Sequence, residues 1–334
     1  MTDSSVETLA GTAMDSEKAI KQAVVYKTSW TVKELYAAEF PPLRWAVRDL
    51  IPEGLSALGG RPKIGKSWLA LQIACAVGTG GMVLDTKVDK GRVLYLALED
   101  SPRRLQDRCN KMHVPGSADI EFLTRWKSFT DGGMDALMKT VESQEYQLII
   151  VDTLSKIIGR IDQNDLEQTS NVIGDIQSLV NDAQITLLTL DHHRKTNGFE
   201  PNPIDDFIGS TGKALPLDGA LGLYRQNGKR ERLLMATGRE IEEKSLALIW
   251  DRDTYCWQSL GDADDVKQDS FNGEVIRGIR ELMEVGELTT QTKIAKHIGA
   301  HSSHVSRALS ELVTSGKLIR GEKVGKEQPY HVFR

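Results

Sequence analysis

Cysteine is scarce: Cys75, Cys109 and Cys256 are the only three in 334 residues. An odd, scattered trio gives no disulfide framework and no zinc-ligand spacing, and it suits a reducing compartment. Long apolar runs are lacking too. No stretch approaches the ~18 residues of a membrane span, and the N-terminus lacks the basic-then-apolar plan of a secretory leader. These absences predict a cytoplasmic protein with no membrane contact. Nor is there a basic excess: 42 Lys and Arg stand against 47 Asp and Glu, for a formal net charge of -5. That excludes a chain coated in positive charge. A local basic channel remains open, because nucleic-acid binding follows the distribution of charge rather than its sum. At 40% hydrophobic residues there is ample material for a core. The length predicts one large domain with a small one, or two of medium size.

What is present is concentrated in one stretch. Gly60-Arg61-Pro62-Lys63-Ile64-Gly65-Lys66-Ser67 fits the P-loop pattern: Gly, four free positions, then Gly-Lys-Ser. Leu55 to Leu58 before it reads as a short buried strand. Residues 68–77 after it read as a helix with Leu69, Ile73, Ala76 and Val77 on one face. This strand–loop–helix context turns a pattern into a site. Glycine lets backbone N–H groups close around phosphate oxygens, and the helix N-terminus adds the positive end of its dipole. Lys66 is placed for the β- and γ-phosphates and Ser67 for Mg²⁺. Gly60, Lys63, Ile64, Gly65 and Trp68 complete the nucleotide cradle. The expected cofactors are ATP and Mg²⁺.

Apolar strands alternate with helices through the next 130 or so residues, on the usual spacing of α/β units. Strands are predicted at 91–98, 120–123, 147–152 and 185–190, and helices at 101–111, 135–143 and 167–183. Near-continuous apolar strands mean a mainly parallel sheet covered on both faces. Residues 221–225, 232–237 and 246–250 read as further strands joined by hairpins, an antiparallel edge on that sheet. Residues 1–29 are polar and aperiodic, a flexible arm. The α/β core is predicted over 30–260, with Trp45 to Ile51 alternating as one strand near its start. Residues 261–270, with Asp262, Asp264, Asp265 and Asp269, are expected to be an acidic linker.

Ligands in parallel sheets sit beyond the C-terminal strand ends, and several chemical residues fall there. Asp152 follows four apolar residues and is placed to hold Mg²⁺ opposite Ser67. Glu99 is placed to polarise an attacking water. Asp100 competes with it, although Asp100-Ser101-Pro102 also fits a helix cap. His192-His193 closes a strand where one imidazole, His193 being favoured, can touch the γ-phosphate. Lys156, Arg160, Arg194 and Lys195 lie on loops whose cations suit the phosphates of a single strand. Arg239 is the preferred arginine finger acting across a subunit boundary, with Arg232 and Arg225 as alternatives.

From Phe271 the pattern changes. Three short helices, near 272–285, 290–297 and 302–314, precede two strands, the winged-helix plan over 271–334. This region carries ten Lys and Arg against seven Asp and Glu. Ser303, His304 and Arg307 open the third helix, where such residues suit phosphate and base contacts. Lys323 suits a wing. The expected partner of this unit is duplex DNA or, alternatively, a replication protein docked on it.

On these residues the chain resembles the RecA/DnaB-type ATPases, most of all the RepA-type branch of plasmid and prophage replicative helicases. The resemblance runs from about Trp45 to Trp250. It rests on the P-loop, Leu-Ala-Leu-Glu-Asp-Ser-Pro-Arg-Arg-Leu (96–105), Ile-Ile-Val-Asp-Thr-Leu (149–154), Asp-His-His-Arg-Lys (191–195), Gly-Ser-Thr-Gly (209–212) and Thr-Gly-Arg-Glu (237–240). It implies a RecA-like core, an ATP site between subunits, and a hexameric ring that translocates on single-stranded DNA. It also implies a catalytic role for Glu99, a sensing role for one of His192 and His193, and a family arginine at Arg108. The expected activity is an ATP-dependent DNA helicase. The alternative is an ATP-switched, sequence-specific DNA-binding regulator or initiator that does not translocate.

Overall fold

The computed structural model describes residues 29–158, 166–192, 202–208, 217–225, 230–325 and 327–332. All but the last residue of the expected arm over 1–29 therefore lie outside the described residues, as do Arg160, His193, Arg194 and Lys195.

Thr31 and Glu34 form a reciprocal capping box at the start of α1 (Val32–Ala37), which buries none of its residues. The expected strand from Trp45 is instead a hairpin of β1 (Trp45–Val47) and β2 (Ile51–Pro52). It turns at Asp49, whose φ is 60°. The P-loop joins β3 (Gly54–Gly60), buried along its whole length, to α2 (Lys66–Thr79). A small hairpin of β4 (Met82–Val83) and β5 (Thr86–Lys87) follows. Strands and helices then alternate: β6 (Val93–Ala97), α3 (Pro102–Lys111), β7 (Ile120–Leu123), α4 (Gly133–Ser143), β8 (Leu148–Asp152), the short α5 (Leu154–Ile157), α6 (Leu166–Asp182) and β9 (Thr186–His192). After α7 (Pro203–Ile208) come β10 (Gly219–Arg225), β11 (Arg232–Gly238), β12 (Lys244–Asp251) and β13 (Cys256–Asp262).

Nine strands form one sheet in the order β13-β12-β11-β10-β3-β9-β8-β6-β7. From β10 to β7 every neighbouring pair is parallel. From β10 to β13 the pairs are antiparallel. Successive strand residues feed opposite faces, as the pleat requires. In β8, Leu148 and Ile150 enter one core with α2, while Ile149 and Val151 enter the other with α4 and α6. This is the predicted α/β class, a mainly parallel sheet that carries the P-loop, with an antiparallel edge.

β13 was not expected. Only Trp257 is buried in its first five residues, so the strand carries too little apolar periodicity to be read. The expected acidic linker is also absent. Gly261 and Asp262 close β13, and Asp262 caps α8 (Ala263–Glu284) by accepting from the N–H groups of Asp264 (2.8 Å) and Asp265 (3.3 Å). Carboxylates in a first turn are favoured by the helix dipole. The acidic residues are thus a helix start, and α8 runs without a break from the sheet into a third hydrophobic cluster. There Val275, Ile279 and Leu282 meet α9 (Gln291–Ile298), α10 (Ser302–Thr314) and β14 (Leu318–Arg320). β14 pairs antiparallel with β15 (Tyr330–Val332). No helix among the described residues is long and apolar enough to cross a membrane.

Candidate active site

Four adjacent parallel strands, β3, β9, β8 and β6, end together. The register sets Gly60 beside His192 and Ala97 beside Asp152. The chain therefore gathers the P-loop, Glu99, Asp152 and His192 at one end of these strands, beyond their C-termini. Gly65 caps α2 with φ 109°, a left-handed conformation that favours glycine.

Lys66 is buried, 6% exposed, at the first position of α2. Its ammonium donates to the carbonyl of Gly60 (2.7 Å) and more weakly to that of Arg61 (3.3 Å), and lies 3.2 Å from Nδ1 of His192. An ammonium only donates, so Nδ1 of His192 is the acceptor in this contact. Burial lowers the Lys66 pKa, against the opposing pull of Asp152, Asp191 and Glu99. Asp152 is 3% exposed. Burial raises its pKa, while hydrogen bonds from Ser67 and from the Tyr95 hydroxyl (3.2 Å) act the other way. Asp191 is likewise pushed up by burial, and its Oδ1 accepts from the His192 N–H at 2.7 Å. A buried cation among three carboxylates, beside a hydroxyl already bonded to one of them, is a donor set that fits a triphosphate with Mg²⁺.

Glu99 is exposed, and its Oε1 accepts from Thr153 Oγ1 at 3.2 Å. Asp100 is engaged elsewhere. It binds Arg104 (2.9 Å) and Arg108, and Ser101 rather than Asp100 caps α3. Arg108 also stacks 5.2 Å over the ring of Trp68. Lys63, shortly before α2, is exposed with φ 63°. Lys156 is exposed on α5. Ser303, His304 and Arg307 are exposed at the start of α10, and Lys323 between β14 and β15.

The arginines divide between the two ends of the sheet. Arg239 follows β11 at the end remote from the P-loop, where it pairs with Asp218 at 3.1 Å. Arg225 and Arg232 pair across β10 and β11 beside the P-loop strand. With Arg230 and Arg252 they line a cavity of about 840 Å³ against Lys63, Trp68 and Trp250. Burial, and then the charge of Arg225, lowers the pKa of Arg232. This arginine–tryptophan cavity was not foreseen, because its members come from strands made adjacent only by the antiparallel edge. Tyr95 and Asp191 were missed as well. A tyrosine inside an aliphatic strand was the one signal available for the former.

The family model of the AAA domain, AAA_25, matches residues 22–198, more than half of the chain. The chain belongs to this AAA family. Curated relatives include the DNA repair protein RadA of Streptococcus pyogenes serotype M6, 25% identical over 149 residues, 44% of this chain and 29% of the relative. RadA of Streptococcus pneumoniae strain R6 matches at the same identity over 31% of its length. The chain thus spans less than a third of these relatives. Among solved structures, one ATPase domain overlaps 78% of this chain and all of its own, at 13% identity and a TM-score of 0.48. The strand order and the P-loop of this AAA protein, rather than that overlap, carry its fold.

Proposed function

We propose that this chain is an Mg²⁺-dependent ATPase that works as a replicative DNA helicase of a mobile element, assembled as a hexameric ring with ATP hydrolysed between subunits. One observation carries the reading: Lys66, Ser67, Asp152, Glu99 and His192 converge at the ends of adjacent parallel strands. Lys66 exchanges its carbonyl partners for the β- and γ-phosphate oxygens. Ser67 and Asp152 would hold Mg²⁺, whose positive charge would offset the negative charge of the triphosphate. Glu99, oriented by Thr153, takes the proton of the water that attacks the γ-phosphorus, and the bond to the β-phosphate oxygen breaks. His192, against Lys66, relays the loss of the γ-phosphate to the segment that carries His193, Arg194 and Lys195.

Arg239 lies at the far end of the sheet from its own P-loop, which suits action on a neighbouring subunit. Lys156, Arg160, Arg194 and Lys195 contact a single strand. The unit from α8 to β15 acts as a winged helix, with Ser303, His304, Arg307 and Lys323 facing duplex DNA or a replication protein. The RadA relatives, named for DNA repair, support the DNA side of this reading.

A second reading is an ATP-switched, sequence-specific DNA-binding regulator without translocation. The unbroken α8 favours it, because a stiff connection suits a switch. Steady-state ATP turnover, measured alone, with single strands and with duplex, tests both beside Lys66→Ala, which should fall by roughly a hundredfold or more. Stimulation by single strands together with strand displacement supports the helicase. Turnover indifferent to single strands, with tight binding to one duplex sequence, supports the switch.

A further inference from the structure

Trp257 stands out among buried residues outside the catalytic cluster. It is 4% exposed on the edge strand β13, yet it holds α2 and the P-loop at three points. Its main-chain N–H donates to Gln72 Oε1 and its carbonyl accepts from Gln72 Nε2, both at 2.9 Å, so one amide on α2 clamps the strand. Its indole Nε1 donates to the carbonyl of Gly65 at 3.3 Å. The ring also covers Gly65, where an added Cβ would stand 2.7 Å from the indole. Trp250 packs against Trp257 at 5.1 Å and against Trp68, the residue after Ser67, at 5.5 Å.

The other end of β13 is the Asp262 cap of α8. α8 lies along β12 and β13 and then supplies Val275, Ile279 and Leu282 to the core of the C-terminal unit. A short, packed path therefore runs from the P-loop glycine through Trp257 and β13 to that unit. Packed elements shift between discrete arrangements rather than deform continuously. A ligand that changes the P-loop backbone at Gly65 must move or tighten the ring that covers it.

We infer that Trp257 is a positioning residue that couples nucleotide occupancy of the P-loop to the C-terminal helical unit. The inference rests on the ATPase reading. Its free-energy form is a linkage: what nucleotide does to α8, a ligand on the C-terminal unit does to nucleotide affinity.

Hydrogen exchange on the full chain, with and without saturating Mg²⁺ and ADP, tests it. In the wild type, ADP should slow exchange in P-loop peptides and also, by about fivefold or more, in peptides covering 256–284. In Trp257→Ala the P-loop effect should persist while the effect over 256–284 disappears. Trp257→Phe, which keeps a ring over Gly65, should restore part of it. Should Trp257→Ala not fold, Gln72→Ala carries the same expectation, since it frees β13 from α2. Protection over 256–284 that survives in Trp257→Ala overturns the coupling, as does wild-type protection confined to the P-loop. If ADP protects neither region of the wild type, the ATPase reading itself falls, and the coupling falls with it.

Discussion

Lys66 and Asp152 are 6% and 3% exposed, whereas Arg307, Lys317 and Lys323 of the C-terminal unit stand in solvent. Taking an ion out of water costs several kcal/mol, recovered only by close partners. The strand ends accept that cost at Lys66, Asp152 and Asp191, where both carboxylates pull on Lys66 and Lys66 in turn pulls on Asp191. Among its described residues the C-terminal unit accepts none of it: its core is Val275, Ile279, Ile294, Val305, Leu309 and similar residues. Buried, coupled charges suit bond chemistry, since their fields are strong and already oriented. Solvated cations on a small apolar core suit attraction to a polyanion, which needs charge but no desolvation. The two regions differ in how they hold charge: one buries it among partners, the other leaves it in solvent.

The largest effect that would break this contrast is at Glu99. Glu99→Gln keeps the length of the side chain but takes up no proton. Turnover should fall by about 10²–10⁴-fold, while nucleotide affinity, read by equilibrium titration, should stay near wild type. Loss of affinity equal to the loss of turnover would make Glu99 a binding group. The next effect belongs to the other region. Leu309 is fully buried in the third cluster, and Leu309→Ala should destabilise that unit by about 2–5 kcal/mol. Calorimetry should show a lowered transition for the C-terminal unit, with basal ATP turnover retained. One transition shifted as a whole would mean that α8 fuses the two regions into a single cooperative unit.

How far these regions were legible follows the same physics. β3, β6, β8 and β9 are apolar runs buried on both faces, so composition alone marks them, and the chemistry at their ends follows from the parallel order. The helices around α10 carry a clear helical period. What escaped was set by pairing at the sheet edge. β13 exposes Gln258 and Leu260 and buries little besides Trp257, so it has no strand signature. Asp262, Asp264 and Asp265 look alike as a solvated linker or as a helix start, and only the cap geometry separates the two. The contacts from Tyr95 to Asp152 and from Trp257 to Gly65 join residues 57 and 192 positions apart, a distance that local pattern does not reach.

The smallest expected effect sharpens the contrast through pH. Burial raises the Asp152 pKa first of all, and the charges of Asp100 and Glu99 add to it, while the Ser67 and Tyr95 hydrogen bonds offset part. A carboxylate with a raised folded-state pKa contributes stability that is fully present below its unfolded value, about 4, and is lost as pH rises through the folded value. Asp152→Asn does not ionise and has no such loss. In the absence of nucleotide, urea unfolding of both proteins should therefore show their difference moving in favour of Asp152→Asn as pH rises from about 4 toward 7. Asp191, shifted in the same direction, is present in both and cancels. Arg307→Ala, whose guanidinium is exposed, should show no such drift against wild type. A difference for Asp152→Asn that stays flat across the window would mean that its hydrogen bonds fully offset its burial. The strand ends would then hold Asp152 ionised at no net cost, and the contrast with the C-terminal unit would rest on Lys66 and Asp191.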